Sequence, residues 1–297
     1  MWVWQSHAPA GIAKLTAVAG CEALVQPIRP RASSAAAPSA FRLVIMQSFQ
    51  HSRSFTGRSL TVAVRRRAVT RLTYKDTAMD PALYRAWTQV VTADDYERHM
   101  AAIGQAQAGA ELTRHIIQSA HPPHGGRVAI AGAGTGQMFD FLDPALLRPF
   151  HLTCSDLNPA FLTRLRKRLN RHALAAEILE DDIERTALEP GPDLLLATLL
   201  LEHIDWRRGV EVFAGLRPAL CGITIQENPP GMTAPVTPGR AIPPSIAKAM
   251  ETAHPTLVPR ADLIAAFGAR GYRCQDIQSR EVADGKRLTA LLFARRP

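Results

Sequence analysis

The sequence has little cysteine and no long hydrophobic run, and each shortage argues against a class of protein. Its four cysteines lie far apart, with no Cys-x-x-Cys pair and no histidine at ligand spacing, which argues against a disulfide framework or a zinc site. The longest nearly continuous apolar run, residues 194–201, has eight residues, whereas a membrane-spanning helix needs about 20. We therefore expect no metal centre, no membrane span and a reducing compartment.

Acidic residues are scarce in the first 78 residues, which carry eleven basic side chains against two acidic ones. This segment therefore has a net charge of +9, which is the net charge of the whole chain. The remaining residues are neutral overall, with 24 basic and 24 acidic side chains. A neutral domain has no electrostatic footprint for nucleic acid, so no nucleic-acid partner is expected.

Residues 1–78 are rich in Arg, Ser and Ala and show no sustained hydrophobic periodicity, so we expect them to be disordered. This composition is typical of an organellar transit peptide. The chain also has 30 arginines and five lysines, a bias associated with GC-rich coding, in which starts are often assigned too far upstream. Three interpretations stay open: an over-extended start before Met79, a targeting segment, or a functional tail. The expected location is cytoplasmic, or mitochondrial if the segment is a transit peptide.

Residues 79–297 alternate between helical and strand patterns, which is typical of an α/β fold. Apolar residues recur at three-to-four spacing over residues 79–120, which predicts N-terminal helices. Five short apolar runs follow, at 128–131, 151–155, 177–180, 193–198 and 222–226. Helical patterns separate these runs, which predicts a doubly wound, mostly parallel sheet with helices on both faces. The proline-rich stretch 229–259 is expected to be a linker or, because loops at strand ends border the ligand, a lid.

The helix predicted after the second run is the most clearly marked. Asn158 is its candidate N-cap, and Pro159 fits the first turn. One face is apolar, and the other carries five basic residues, Arg164, Arg166, Lys167, Arg168 and Arg171. We interpret the basic face as solvated rather than as an RNA-binding surface.

The first apolar run ends in the segment Gly132-Ala133-Gly134-Thr135-Gly136, which is expected to open a helix. Glycine adopts backbone angles that other residues resist, and it lets a ligand approach the main chain closely. The dinucleotide fingerprint G-x-G-x-x-G has its third glycine one position later, where this chain has Gln137. The turn therefore departs from the dinucleotide fingerprint, which makes an NAD-linked oxidoreductase the less favoured interpretation.

Acidic residues follow the glycine turn at the ends of later strands. Asp156 ends the second run, where a carboxylate can accept hydrogen bonds from both ribose hydroxyls. Asp182 and Ile183 end the third run. The fourth run begins after Asp193 and leads into the sequence Leu-Glu-His at residues 201–203.

This ordered set of motifs resembles the class I S-adenosylmethionine (SAM)-dependent methyltransferases over about residues 127–296. The resemblance implies a Rossmann-like sheet of seven strands that ends in an antiparallel hairpin, with SAM as cofactor. It also implies that Asp182 contacts the adenine amino group and that Ile183 packs on the ring. The implied cofactor-binding residues are Ala131, Gly132, Gly134, Gly136, Asp156, Leu157, Asp182, Ile183, Thr198 and Leu199.

The chain departs from this family at Ile130, where the family usually has an acidic residue that holds the methionine amino group. Either another group, from the N-terminal helices, binds the ammonium, or the cofactor binds weakly. A catalytically weak or inactive scaffold subunit is therefore the alternative to an enzyme.

Methyl transfer mainly requires that donor and acceptor be aligned and that water be excluded. A general base helps if the acceptor is a hydroxyl, an amine or an acidic carbon, and His203 and then Glu202 are the candidates. Other residues that could line the acceptor pocket are Tyr84, Trp87, Tyr96, His99 and Glu227. The sequence Asn-Pro-Pro-Tyr/Phe, which is associated with N-methylation of amino groups or bases, does not follow the fourth strand. A small-molecule acceptor is therefore favoured by elimination.

Overall fold

A seven-stranded sheet organises the residues that the computed structural model describes, which are 79–237 and 239–297. The predicted leader at residues 1–78 lies outside them. The strand order is β3-β2-β1-β4-β5-β7-β6, in which β1 to β5 are parallel and β7 runs antiparallel to both β5 and β6. The strands are β1 Arg127–Ala131, β2 His151–Asp156, β3 Ala176–Glu180, β4 Leu194–Thr198, β5 Leu220–Glu227, β6 Tyr272–Glu281 and β7 Arg287–Arg295. The predicted mostly parallel sheet with a C-terminal antiparallel hairpin is confirmed.

Helices precede the sheet, as predicted for residues 79–120. Together with the helices that follow later in the chain, they cover both faces of the sheet. A π-helical turn, Ala86–Val90, joins directly to the first of them. The α-helices are α1 Pro81–Arg85, α2 Ala93–Ala102, α3 Gln105–Ala120, α4 Pro159–Arg171, α5 Trp206–Gly215, α6 Pro244–Met250 and α7 Arg260–Ala269. None of the helices in the described ranges is long and apolar enough to cross a membrane.

Alternate residues of the central strands pack into two separate apolar layers. On β1, Val128 and Ile130 pack into the layer that contains α3 and α4, whereas Ala129 and Ala131 pack into the layer that contains α5 and α7. Both faces of β1 and β4 are therefore buried, which explains why these strands read as continuous apolar runs. The C-terminal ends of the strands remain free to border a ligand.

Two of the four crossovers within residues 127–227 lack an α-helix, so the expectation that helices separate all the runs was wrong. The connection from β1 to β2 contains only the 3₁₀-helices Gln137–Asp140 and Pro144–Leu146, and that from β3 to β4 contains only Ile183–Arg185. Prolines explain both cases, because Pro144 and Pro149 interrupt the first connection and Pro190 and Pro192 the second. The glycine turn therefore opens into a short 3₁₀-helix.

The N-terminus of α4 forms as predicted. The Asn158 side chain accepts hydrogen bonds from the main-chain N–H groups of Ala160 at 2.8 Å and Phe161 at 3.2 Å. The basic face of this helix is only partly solvated, which corrects the prediction. The side chain of Arg168 is 11% exposed and donates to Glu97 at 3.0 Å and to Asp140 at 2.8 Å, so it ties α4 to α2 and to the segment after the glycine turn.

Candidate functional site

The glycine turn between β1 and the first 3₁₀-helix has three residues in the left-handed region. The φ angles of Gly132, Gly134 and Gly136 are +63°, +57° and +73°. A Cβ atom at Gly132 would lie 2.8 Å from Leu200, and one at Gly136 would lie 2.5 Å from Leu165, so both positions are closed by packing. At Gly134 the first contact would be the Tyr96 hydroxyl at 3.2 Å. Gly134 is thus the glycine whose missing side chain leaves room beside the site.

Asp156 ends β2 directly beside the glycine turn. One carboxylate oxygen accepts the main-chain N–H of Gly134 at 2.8 Å, and the other accepts that of Asn158 at 2.9 Å. Burial raises the pKa of this carboxyl to about 6, and the hydrogen bonds from the main chain oppose the rise. A carboxylate has about four acceptor positions, so Asp156 retains capacity for further donors.

A first cleft opens over this pair and contains about 840 Å³ of empty space, including its mouth. Seven of the ten predicted cofactor-binding residues line it: Gly132, Gly134, Asp156, Leu157, Ile183, Thr198 and Leu199. The other three do not: Ala131 is fully buried in the core, Gly136 borders a neighbouring cleft, and Asp182 caps the 3₁₀-helix Ile183–Arg185.

At the end of β3 the structure places Asp181, rather than Asp182, on the wall of the first cleft. The Asp181 carboxylate accepts the Thr186 hydroxyl and the main-chain N–H of Ala187, both at 2.7 Å. Asp182 is the N-cap of the 3₁₀-helix that follows, and its side chain accepts the main-chain N–H of Glu184 at 3.0 Å. The sequence analysis did not single out Asp181, because nothing in two consecutive acidic residues indicates which of them lines the cleft.

Glu202 lies in the turn after β4 and is 5% exposed. One of its carboxylate oxygens accepts the main-chain N–H of Gln226 at 2.7 Å. The other is buried and has no hydrogen-bond partner among the described residues. Burial raises the pKa of Glu202 to about 7. An unpartnered buried oxygen with this pKa is suited to accept a proton from a bound molecule.

His203 lies next to Glu202 and packs edge to face against Trp87. Burial lowers the pKa of its imidazole to about 4, and its Nδ1 atom has no hydrogen-bond partner among the described residues. The ring is therefore neutral and only a weak base near pH 7.

A second cleft of about 830 Å³ adjoins the first. Glu202 and His203 line it, and His203 also lines the first cleft. The proline-rich stretch also borders this cleft. Thr256 of the stretch donates its main-chain N–H to the carbonyl oxygen of Glu202 at 2.8 Å. The stretch contributes Pro235, Val236, Thr237, Arg240, Ile246, Met250 and Pro255 to the lining, and the two clefts share Trp87, Tyr96, Met100, Gln105, Leu199 and His203.

The structure brings three of the five other predicted pocket residues to the second cleft, namely Trp87, Tyr96 and His99. Tyr84 is 39% exposed and lies outside it. Glu227 also lies outside, because its carboxylate accepts the Thr289 hydroxyl and forms ion pairs with Arg260 at 3.5 Å and Arg287 at 3.6 Å.

A third cleft of about 570 Å³ lies behind the glycine turn, and Ile130 lines it. Two buried oxygens on its wall, Thr135 Oγ1 and Gln137 Oε1, have no hydrogen-bond partner among the described residues. Gln105, at the start of α3, lines all three clefts. These two oxygens therefore line the same cleft as Ile130, which stands where the resemblance predicts an acidic residue. No group of three or more His, Cys, Asp or Glu side chains within the described ranges has the arrangement of a metal site.

Comparisons with known proteins bear on the fold. The sequence matches no protein-family profile and no curated protein sequence. Among solved structures, it is similar to magnesium protoporphyrin IX methyltransferase from Synechocystis PCC 6803 with bound SAM, at 13% identity and a TM-score of 0.55, covering 74% of this chain and 100% of that one. The same enzyme with bound SAH gives 14% identity and a TM-score of 0.52, covering 68% and 93%. Together with the strand order, these likenesses show that the chain has the fold of the class I SAM-dependent methyltransferases.

Proposed function

We propose that this protein is a SAM-dependent methyltransferase that acts on a small-molecule acceptor. The observation that carries the proposal is the meeting of the glycine turn and Asp156 in one cleft, which shares a wall with a second cleft. The two similar structures hold SAM and SAH, which supports the same cofactor here. Two adjoining clefts fit a reaction in which donor and acceptor must be held side by side.

The residues of the first cleft fit a nucleoside without phosphates. Asp156 would accept the ribose hydroxyls, and Leu157 and Ile183 would pack against the adenine ring. Asp181, rather than Asp182, would be the acidic group that faces the adenine, since Asp181 is the one of the two that lines the cleft.

The same site fits a dinucleotide poorly. A pyrophosphate is normally bound at the N-terminus of an α-helix, whose N–H groups and dipole attract the negative charge. Here the glycine turn leads into a 3₁₀-helix of four residues that carries Asp140 in its first turn. An NAD-linked oxidoreductase is therefore disfavoured by the structure of the turn as well as by Gln137.

The methionine end of the cofactor would extend toward the third cleft, where Thr135 Oγ1 and Gln137 Oε1 can accept hydrogen bonds from an ammonium group. Such neutral acceptors would replace the acidic residue that Ile130 displaces.

The second cleft would hold the acceptor. A bound SAM supplies a methyl group on a positively charged sulfur, which keeps the bonding electron pair when the methyl group leaves. Glu202 would accept the proton that the acceptor atom loses, since this residue lines the cleft, one of its oxygens has no hydrogen-bond partner among the described residues, and its pKa is about 7. His203, with a pKa of about 4, would instead form part of the apolar wall with Trp87.

Calorimetric titration of the full-length chain tests this proposal. We expect S-adenosylhomocysteine to bind at a single site and more tightly than NADH. The Asp156→Asn variant, which keeps the shape of the side chain but loses its charge, should bind S-adenosylhomocysteine at least about tenfold more weakly. No heat at millimolar S-adenosylhomocysteine, or tighter binding of NADH, would remove the proposed function.

A further inference from the structure

Lys286 is a buried cation in the wall of the second cleft. It precedes β7 and is 7% exposed. Its ammonium donates to the carbonyl oxygen of Pro235 at 2.7 Å. Among the described residues, this is the one hydrogen bond that the ammonium makes. An ammonium has three donors, and a buried charge is costly unless it is paired, so Lys286 has unused capacity for an anion.

The nearest acidic side chain is already occupied. Both oxygens of Asp284 accept from the guanidinium of Arg240, at 2.8 Å and 2.5 Å, and the hydroxyl of Thr237 donates to the same carboxylate at 2.6 Å. These hydrogen bonds hold the pKa of Asp284 at about 2. Asp284 also interacts electrostatically with Lys286, but one carboxylate cannot balance two cations, so Arg240, Asp284 and Lys286 together keep one excess positive charge.

The surroundings of Lys286 are consistent with this excess of positive charge. His99 lines the same cleft, and its pKa is lowered by burial and by the charges of Arg240 and Lys286. The pKa of Lys286 itself is lowered, chiefly by burial. Glu202, the other acidic residue of the lining, forms no ion pair with Lys286 and hydrogen-bonds instead to Gln226.

The rest of the lining is largely apolar. It includes Met100, Ile103, Val236, Ile246, Met250 and Val282. A largely apolar lining with one excess positive charge matches a ligand that has an apolar body and one negative charge. A carboxylate placed on Lys286 would balance this charge through a charge-assisted hydrogen bond, which is stronger than one between neutral groups.

We propose that the second cleft binds an apolar molecule through a carboxylate that pairs with the Lys286 ammonium, and that this molecule belongs to the class of the methyl acceptor. The first part stands on the cleft and its charges, and the second rests on the proposed function. Lys286 is thus a residue that determines specificity for an acidic acceptor.

Three probes of similar shape test the charge preference: 4-phenylbutyrate, 4-phenylbutanol and 4-phenylbutylamine. Each is titrated calorimetrically into the full-length chain, with and without saturating S-adenosylhomocysteine. We expect the carboxylate to bind at least about tenfold more tightly than the alcohol, and the amine to bind most weakly. Equal affinities for the acid and the alcohol would overturn the proposal, and so would displacement of the acid by S-adenosylhomocysteine.

Variants locate the charge that is responsible. Lys286→Met should remove the preference for the acid and leave the affinity for the alcohol unchanged. Lys248→Met, which removes an exposed lysine of α6 in the stretch that covers the cleft, is the matched control and should leave the affinities for all three probes unchanged. Retention of the preference in Lys286→Met would overturn the proposal.

A second measurement covers the case in which Lys286→Met does not fold. The chain has five lysines, so their side-chain NMR signals can be followed individually in the unaltered protein. Binding of 4-phenylbutyrate should raise the pKa of Lys286, whereas 4-phenylbutanol should not, and an unchanged pKa would contradict the pairing. Absence of S-adenosylhomocysteine binding would contradict the proposed function, whereas the binding of the three probes to the second cleft could still be measured.

Discussion

The indole of Trp87 and the imidazole of His203 meet edge to face, with their ring centroids 4.6 Å apart and their planes at 70°. Both residues line the first and the second cleft. Trp87 comes from the π-helical turn Ala86–Val90 and His203 from the turn after β4, so their contact joins the N-terminal helices to the edge of the sheet. This aromatic contact forms a wall that the two adjoining clefts share.

The imidazole in this contact should be uncharged near neutral pH. Because burial lowers the pKa of His203 to about 4, the ring should stay neutral from pH 8 down to pH 5. NMR titration of the imidazole C–H signals, with His203→Asn to assign the resonance, should show no change in the His203 signal over this range. A titration midpoint between pH 5.5 and pH 7.5 would contradict the burial of the ring.

Cofactor affinity should depend on the ionisation of Asp156, whose pKa burial raises to about 6. Ribose hydroxyls donate hydrogen bonds to the ionised carboxylate, so protonation removes an acceptor and weakens binding. Affinity for S-adenosylhomocysteine should fall by about tenfold between pH 7 and pH 5, as expected for a group with this pKa. The Asp156→Asn variant should bind weakly with no change over the same range, and an equal dependence on pH in both proteins would argue against contact with Asp156.

Gly134 should be required for binding because a side chain there would enter the first cleft. Gly134→Val should lower the affinity for S-adenosylhomocysteine at least about tenfold, since the new atoms would stand beside Tyr96 and Asp156. Gly271→Val is the matched control: its φ of +81° imposes a similar backbone strain, but a Cβ there meets no atom within 4 Å.

Both glycine variants should lose stability, by about 1–3 kcal/mol, because a residue with a side chain is strained at positive φ. Only Gly134→Val should lose affinity, as measured by calorimetry on proteins shown to be folded by circular dichroism. Equal affinities of the two variants would mean that the turn does not border the ligand.

Glu202 should make the unliganded protein less stable as the pH rises. Its folded pKa of about 7 lies above the ordinary value of 4.5, so the folded state holds the proton more tightly than the unfolded state. The stability that it contributes is fully present below pH 4.5 and is lost as the pH rises through about 7. Over this interval the loss is at most about 3 kcal/mol, from about 1.4 kcal/mol for each pKa unit.

The Glu202→Gln variant, which cannot titrate but still accepts the N–H of Gln226, should escape this loss. Urea unfolding of both proteins at pH 5 and pH 8 measures the difference, in which the effects of all other titrating groups cancel. If the difference between the two proteins is the same at both pH values, Glu202 is not a buried acid with a raised pKa.

Local sequence patterns predicted the strands and the meeting of the glycine turn with Asp156. The apolar runs of β1 and β4 and the cap at Asn158 depend on neighbouring residues alone, so they could be read directly. The proximity of the glycine turn to Asp156 could also be predicted, because each follows a strand and the ends of adjacent parallel strands meet at one edge of a sheet.

Other features depend on contacts between distant segments. The choice between Asp181 and Asp182 depends on how the chain leaves β3, which two adjacent acids cannot reveal. The helices expected after β1 and after β3 are replaced by short 3₁₀-turns, because prolines override the local apolar pattern. Lys286 carried no motif, and its place in the second cleft depends on the pairing of β6 with β7 and on the carbonyl of Pro235, 51 residues away.

A crystal structure of the chain grown with S-adenosylhomocysteine is the decisive observation. The ribose hydroxyls should lie about 2.5–3.0 Å from the Asp156 carboxylate, as in ordinary O–H···O hydrogen bonds, with the adenine ring against Ile183 and the sulfur directed toward the second cleft. A ligand bound elsewhere on the molecule, or a first cleft without bound ligand at saturating concentration, would contradict the assignment of this cleft to a nucleoside.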